Sequence, residues 1–306
     1  MWISGLLGDW GMAPMVIDAA EVRRKSRRPN QKCDRRDAFE ICDGLRRGIY
    51  RAVVEVPGPE MTRLRLVLGR RRHMVRLATS QVNAAKALLR SVGLGSCAES
   101  LTTGAAWEKL LRRPEVRGRK AELEMHREVW QVAKAQEAKL DQALAEALVP
   151  LREIQQRLLT VPGVGRITAA SYLAALVRPE RFEQSGQVVS YLGLAPSSWN
   201  TGDQVRQGHI SKRGNVEARA MLVEAAQHAA KPRHPLNPYF RKLSAQKGYK
   251  RAIVGVAQRL ARILWRMWLN REEFDPGKLN VVAEKLQTTR TYYYRLKHER
   301  EQNLSA

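Results

Sequence analysis

The sequence predicts a predominantly helical α+β fold. Apolar residues recur at helical spacing through long windows, the stretch from Glu115 to Val149 contains one glycine and no proline, and the β-branched runs that read as strands are short. The 306 residues suffice for two domains. Against 30 Asp and Glu stand 54 Lys and Arg, a formal charge of +24, while 44% hydrophobic residues can fill real cores. The charge is therefore carried by folded domains and not only by a disordered tail. Such an excess argues against an ordinary metabolic enzyme and points to a polyanionic partner, nucleic acid above all. Because only 6% of residues are aromatic, contact with backbone phosphates is expected over base stacking.

Taken in order, Gly8 to Gly11 reads as a turn and Met15 to Ala19 as a short strand, followed by a basic loop, Arg23 to Lys32. A helix is expected from Asp34 to Arg47, with Ala38, Ile41, Cys42 and Leu45 on one face and Gly48 ending it. Val53 to Val56 is extended before Pro57-Gly58. From Pro59 a long basic helix runs to about Leu89. Its buried stripe is Leu64, Leu68, Met74 or Val75, Val82 and Leu89, and its other face carries Arg63, Arg65, Arg70, Arg71, Arg72 and Arg76. Between Glu115 and Val149 a helix of about 30 residues, roughly 45 Å long, has a seam of Leu123, Val129 or Trp130, Ala133, Leu140, Leu144 and Leu148. It reads equally as a coiled-coil-like connector or as a helix packed in a larger bundle. Pro150 changes the chain's direction.

Cys33, Cys42 and Cys97 form neither an even disulfide framework nor a paired metal knuckle, so a reducing, cytoplasmic setting is expected. Asp9 interrupts the apolar N-terminus and no basic region precedes it, so neither a signal peptide nor a membrane span is expected.

Three segments can carry chemistry. Leu158 to Ala170 reads as a helix ending in Pro162-Gly163-Val164-Gly165 with another helix starting at once, the pattern of a helix-hairpin-helix. Gly163 and Gly165 would let the backbone approach a phosphate, the free N–H groups of the next helix would face it, and Arg166 would add charge. The alternative is a plain helix-helix turn. In the second segment, Tyr191 to Gly202 and Gly208 to Asn215, the hydroxyls of Ser197, Ser198, Thr201 and Ser211 alternate with glycines. Lys212, Arg213 and Arg219 can hold a phosphodiester while one hydroxyl attacks it, although by spacing alone the loop reads equally as a phosphate clamp or a polar turn. The third is Lys32 to Ala38, where Asp34 and Asp37 lie three apart at a helix start and can share a magnesium ion, with Asp18 and Asp43 nearby. Equally, Asp34 is an N-cap and Asp37 a first-turn acid favoured by the helix dipole.

The stretches K-C-D-R-R-D-A, L-L-T-V-P-G-V-G-R-I-T-A-A, Y-L-G-L-A-P and G-H-I-S-K-R-G-N, in this order, resemble transposases of the insertion sequence 110, 116 and 902 group across nearly the whole chain. The resemblance implies a ribonuclease-H-like N-terminal domain, here partial (1–100), a helical coiled-coil-like connector (101–153), a helical transposase domain with the helix-hairpin-helix (154–279) and a basic helical tail (280–306). It implies a DNA transposase that cleaves and rejoins strands with Mg2+, guided by a structured RNA and acting as a homo-oligomer. The last two acids of the family's metal set fall on Asp34 and Asp37. Its first two would precede the segment matching Gly8 to Asp18, so the chain is expected to start downstream of both. The family's nucleophilic serine falls in Asn200-Thr201-Gly202, making Thr201 the expected nucleophile, with Ser198 and Ser211 in reserve, Lys212 and Arg213 as phosphate clamps and Arg219 as a transition-state stabiliser. The rival reading is a non-catalytic nucleic-acid-binding remnant. A ribosomal-type RNA-binding protein fits the charge but not the ordered motifs.

Overall fold

The computed structural model describes residues 2–26, 33–50, 54–97, 99–201 and 204–279. The expected tail 280–306, Val53, Gly202 and the loop residues from Arg27 to Lys32 lie outside the described residues. The chain divides into two units, Met1–Thr62 and Arg63–Ala306.

The N-terminal unit contains helices α1 (Trp2–Asp9), α2 (Ala19–Lys25) and α3 (Asp34–Arg46). The strand expected at Met15 to Ala19 shrinks to a single bridge position at Ile17, with the Val54 N–H donating to the Val16 carbonyl at 2.8 Å. Its end is diverted because the Asp18 carboxylate accepts the Glu21 N–H at 2.9 Å and caps α2, a local bond that competes with strand pairing. Helix α3 forms as expected, closing just before Gly48 in the left-handed region, but Ala38, Cys42 and Leu45 are exposed and Ile41 is half-buried. The contact that forms is on another face: Tyr50 packs against Gly44, where a side chain would overlap its ring, and its hydroxyl donates to the Glu40 carbonyl at 3.1 Å.

In the second unit, α4 (Pro59–Ser91) and α6 (Lys120–Ala147) form an antiparallel pair. Passing along α4 from Arg63 to Arg71 to Gln81, the partners pass back along α6 from Glu146, through Asp141 and Glu137, to His126. Trp107 of α5 (Gly104–Leu111) meets Trp130 of α6 at 6.0 Å between ring centres, in a core that includes Leu89, Leu101, Val116 and Leu123. The α6 seam is buried at Leu123, Trp130, Ala133, Leu144 and Leu148; Leu140 is half-buried and Val129 is exposed. On α4 the buried positions are Leu64, Val67, Leu68, Ala78, Ala85 and Leu89, with Met74, Val75 and Val82 half-buried. Two arginines expected on the free basic face have structural partners. Arg71 binds Glu137 at 2.9 Å and Asp141 at 2.7 Å, while Arg65 donates to the carbonyls of Ala174 and Ala175 at 2.7 and 3.3 Å.

Those carbonyls end α8 (Arg166–Leu176), which is buried from Thr168 through Leu176. Around it pack α7 (Arg152–Leu159), α9 (Ser185–Tyr191), α10 (Val216–Gln227), α11 (Asn237–Lys247) and α12 (Tyr249–Asn270). Helix α12 buries Ile253, Val256, Ala257, Leu260, Ala261 and Leu264, an amphipathic spacing that gives it one core face. The fully buried Tyr172 donates its hydroxyl to the Ala261 carbonyl at 2.6 Å, and burial raises its pKa well above the ordinary tyrosine value. Between α9 and α10 lies an antiparallel hairpin, β1 (Pro196–Thr201) with β2 (Gln204–Ile210), the only sheet among the described residues.

Arg65→Met leaves the last carbonyls of α8 unpaired and is expected to cost about 1–3 kcal/mol in urea unfolding. Arg70→Met, on the exposed side of the same helix, should stay within about 0.5 kcal/mol of the parent. Equal effects of the two would show that Arg65 does not tie α4 to α8.

Candidate nucleic-acid interface

Helix α7 ends at Leu159, and the chain turns through Val161, buried in the core, to Gly165, the extended N-cap of α8. The two glycines of this turn have different duties. Gly163 sits at φ +82, and a Cβ there would come within 2.9 Å of the His228 Cβ and 3.0 Å of the Ala225 carbonyl, so it exists for close packing against α10 and the turn after it. Gly165 is exposed and a Cβ there meets nothing within 4 Å. No side chain caps α8, so its first N–H groups are left for solvent or an anion, and Arg166 is exposed beside them. The turn is held from behind by His234, whose Nδ1 accepts the Leu236 N–H at 3.0 Å; its Nε2 is then left to donate to the Pro162 carbonyl at 3.0 Å. Asn237 fixes the same region by donating to the Ala229 carbonyl at 2.9 Å. Sequence reading missed both; the signal available was the proline-framed run His234-Pro235-Leu236-Asn237-Pro238.

The second half of the site is built on an interlocked pair of turns. Gly193, at φ +68 after α9, leaves room for the backbone of Arg213, whose carbonyl oxygen would lie 1.9 Å from an added Cβ. Gly214, at φ +90, does the same for the Tyr191 carbonyl, again at 1.9 Å. Two backbone bonds seal the crossing, Ser211 N–H to the Ala195 carbonyl at 2.8 Å and Lys212 N–H to the Gly193 carbonyl at 3.1 Å. Arg219 lies across it, donating from one nitrogen to the carbonyls of Leu192 at 3.0 Å and Arg213 at 3.4 Å. These bonds give Arg219 a structural task within the fold. Lys212 is left exposed and adopts φ +55, a left-handed conformation that costs a non-glycine residue on the order of 1 kcal/mol. Arg213 is exposed beside it, and Asn215 caps α10 by accepting the Ala218 N–H at 2.9 Å.

Thr201 ends β1, where its backbone pairs with Gln204, and the side chains of Ser198, Asn200 and Thr201 lie outside the described residues. Ser197 uses its hydroxyl to donate to the His209 carbonyl at 2.8 Å, where the ladder shifts register between Pro196 and Ser198. Burial raises the Glu217 pKa above the ordinary glutamate value, and the charges of Arg72, Arg71 and Arg76 on α4 oppose that rise.

In the N-terminal unit, Asp34 and Asp37 are both exposed in the first turn of α3, with Cys33 rather than Asp34 as the N-cap. Asp18 is engaged as the α2 cap, and Asp43 is held below the ordinary carboxylate range mainly by Arg46, with Arg47 beside it. No group of three or more His, Cys, Asp or Glu suited to a metal gathers among the described residues. Two exposed carboxylates alone fall short of the oxygen set that binds Mg2+ for phosphodiester chemistry.

Residues 155–245, which contain both halves of the interface, match the model of the transposase IS116/IS110/IS902 family. That stretch is about three tenths of the chain, and the likeness is to the family's transposase domain. The transposase for insertion sequence element IS1111A of Coxiella burnetii is 26% identical over 290 residues, covering 90% of this chain and 76% of that protein. A Sinorhizobium fredii protein assigned as a transposase is 26% identical over 250 residues, and the aligned part spans 79% of this chain and 64% of that relative's length. A pilin gene-inverting protein of Moraxella bovis is 30% identical over 121 residues, 39% of this chain and 38% of its own. Gly163, Gly165, Arg166, Thr201, Lys212, Arg213 and Arg219 all fall inside the matched transposase domain, whereas Asp34 and Asp37 precede it. No helix among the described residues is long and apolar enough to cross a membrane.

Gly193→Ala and Gly214→Ala each place a methyl group inside a carbonyl oxygen's radius and are expected to destabilise the 155–245 region by more than about 4 kcal/mol. Gly165→Ala should unfold within about 1 kcal/mol of the parent, since its Cβ enters open space. Chemical denaturation of the three variants decides the matter, and near-normal stability of the first two contradicts the interlock.

Proposed function

We propose that the chain is a DNA transposase whose 155–245 region grips backbone phosphates and presents Thr201 to a scissile phosphodiester. The observation that carries this reading is the exposure of Lys212 and Arg213 on a loop locked by Gly193 and Gly214, within the region that matches the family. The uncapped α8 N-terminus with Arg166 supplies a second phosphate contact. Phosphate contacts of this kind position a duplex without reading its sequence.

In the proposed reaction the Thr201 oxygen attacks phosphorus, a threonine–phosphate ester forms, and one P–O bond of the DNA strand breaks as the leaving sugar oxygen takes up a proton. The hydroxyl proton is lost in the same exchange. Attack on that ester by the hydroxyl of another strand end reverses the step and rejoins DNA, so no outside energy source enters. Lys212 and Arg213 stabilise the charge on the phosphoryl oxygens. A magnesium ion at Asp34 and Asp37 would require further ligands, and no step here depends on it. The ribonuclease-H-like assignment of the N-terminal unit, the guide RNA and the homo-oligomer belong to this proposal through the motif resemblance alone.

Binding of duplex DNA should weaken steeply with salt, and Arg166→Ala or Lys212→Ala should each reduce the slope of log K against log salt by about 0.9. On a plasmid carrying the chain's own gene and its flanking DNA, Thr201→Ala should bind as the parent but yield no protein–DNA adduct, and Thr201→Ser should retain the adduct. Cleavage by Thr201→Ala at the parent rate sinks the nucleophile, and salt-independent binding sinks the phosphate grip.

A further inference from the structure

Beside the locked loop, a groove of about 560 Å³ runs along α10, lined by Ile210, Lys212, Val216, Arg219, Ala220, Val223, Glu224 and Gln227. That volume lies in the range of small-ligand sites. Its chemistry is graded along its length. Lys212 and Arg219 bring cations to the end where α10 starts, Val216, Ala220 and Val223 form an apolar floor, and Glu224 and Gln227 stand at the far end. Val216 is 52% exposed, Ala220, Glu224 and Gln227 are exposed, and these positions fall on one helical face. The floor is thus an apolar strip left open to solvent between a positive end and a hydrogen-bonding end.

We propose that this groove holds one unpaired nucleotide of the DNA strand gripped by the interface, with a base that carries an exocyclic amino group. The proposal rests on the DNA-binding reading above. Each part of the groove answers one part of the ligand: Lys212 the phosphate, the Val216–Ala220–Val223 floor the face of sugar and base, and the far end the base edge. A carboxylate accepts from the exocyclic amino group of cytosine or adenine, and a glutamine amide pairs with adenine through one donor and one acceptor, whereas thymine offers no amino group. An apolar peptide is a poorer match, because Lys212 at the mouth is an exposed cation suited to an anion. A nucleotide held here would lie next to the loop that clamps the strand, and it would be withdrawn from the duplex at the place where the strand is handled.

The test is fluorescence anisotropy of the full chain with three labelled duplexes: fully paired, with one unpaired adenine, and with one unpaired thymine. The adenine duplex should bind about tenfold more tightly than the paired one, with thymine in between, a difference near 1.4 kcal/mol. Ala220→Glu, which sets a carboxylate on the exposed floor without touching the core, should remove the advantage of both unpaired duplexes. Gln227→Ala should shrink only the adenine-over-thymine difference, to what the Glu224 carboxylate alone sustains, so it tests the site even where Ala220→Glu disturbs the helix. Equal binding of the three duplexes, or an advantage that survives both substitutions, overturns the groove assignment while leaving phosphate binding in place. Failure to bind any duplex overturns the DNA-binding reading together with the groove.

Discussion

At Gly193 and Gly214 two stretches of backbone cross so closely that the space of each missing Cβ is taken by the other strand's carbonyl. This is a contact between main chains, so side-chain repacking cannot relieve a substitution there. It joins the end of α9 to the start of α10 and thereby fixes where β2 leaves the hairpin. The exposed pair Lys212 and Arg213 inherits its position from that crossing, and Arg219 braces it by bonding to carbonyls on both sides. The strained backbone of Lys212 follows from the same constraint: sealing Lys212 N–H to the Gly193 carbonyl leaves the residue in the left-handed region.

The crossing is held in turn by a core in which polar ties are few and long-range. Buried Tyr172 joins α8 to α12 through the Ala261 carbonyl, Trp265 of α12 donates to the Pro179 carbonyl at 2.9 Å, and Gln258 donates to the Leu194 carbonyl at 2.7 Å, directly beneath the interlocked turns. Each tie connects α12 to a segment that flanks the interface. Helix α12 therefore acts as the platform on which the α8 entry and the Gly193 turn keep their separation. From outside, Arg65 caps the C-terminal end of α8 and couples the α4–α6 hairpin to that platform.

How far the sequence foretold this depends on the kind of interaction. Helices α4 and α6 were legible because long apolar seams at 3.6-residue spacing survive any tertiary context, and so was α3, with Gly48 at its end. The α4 stripe was only half legible: Ala78 and Ala85 are buried, whereas Met74 or Val75 and Val82, expected in the stripe, are half-buried, since apolar pattern alone does not say which face a second helix covers. The β1–β2 hairpin was missed because Ser197, Asn200, Thr201, Gln204, Arg206 and Gln207 give no apolar alternation; its trace in the sequence was the Gly202-Asp203 pair between the two runs. The strand expected at Met15 to Ala19 lost to the cap that Asp18 makes. The glycines of the site were legible as glycines, but their surroundings were not: Gly163 is packed closely and Gly165 faces open space, which depends on α10 lying behind one and not the other. For the same reason the bonds of Arg219 to two carbonyls could not be read from its charge.

The clamp reading requires that Lys212 and Arg213 be held in place before any nucleic acid arrives. Amide hydrogen exchange of the free protein measures this directly at Ser211 and Lys212, whose N–H groups bond to Ala195 and Gly193. A preformed, interlocked site predicts that both exchange as slowly as amides in the buried middle of α8, such as Tyr172, through cooperative opening of the domain. Exchange of Ser211 and Lys212 near the free-chain rate, while α8 stays protected, would contradict it and make the clamp a loop that orders only on its ligand.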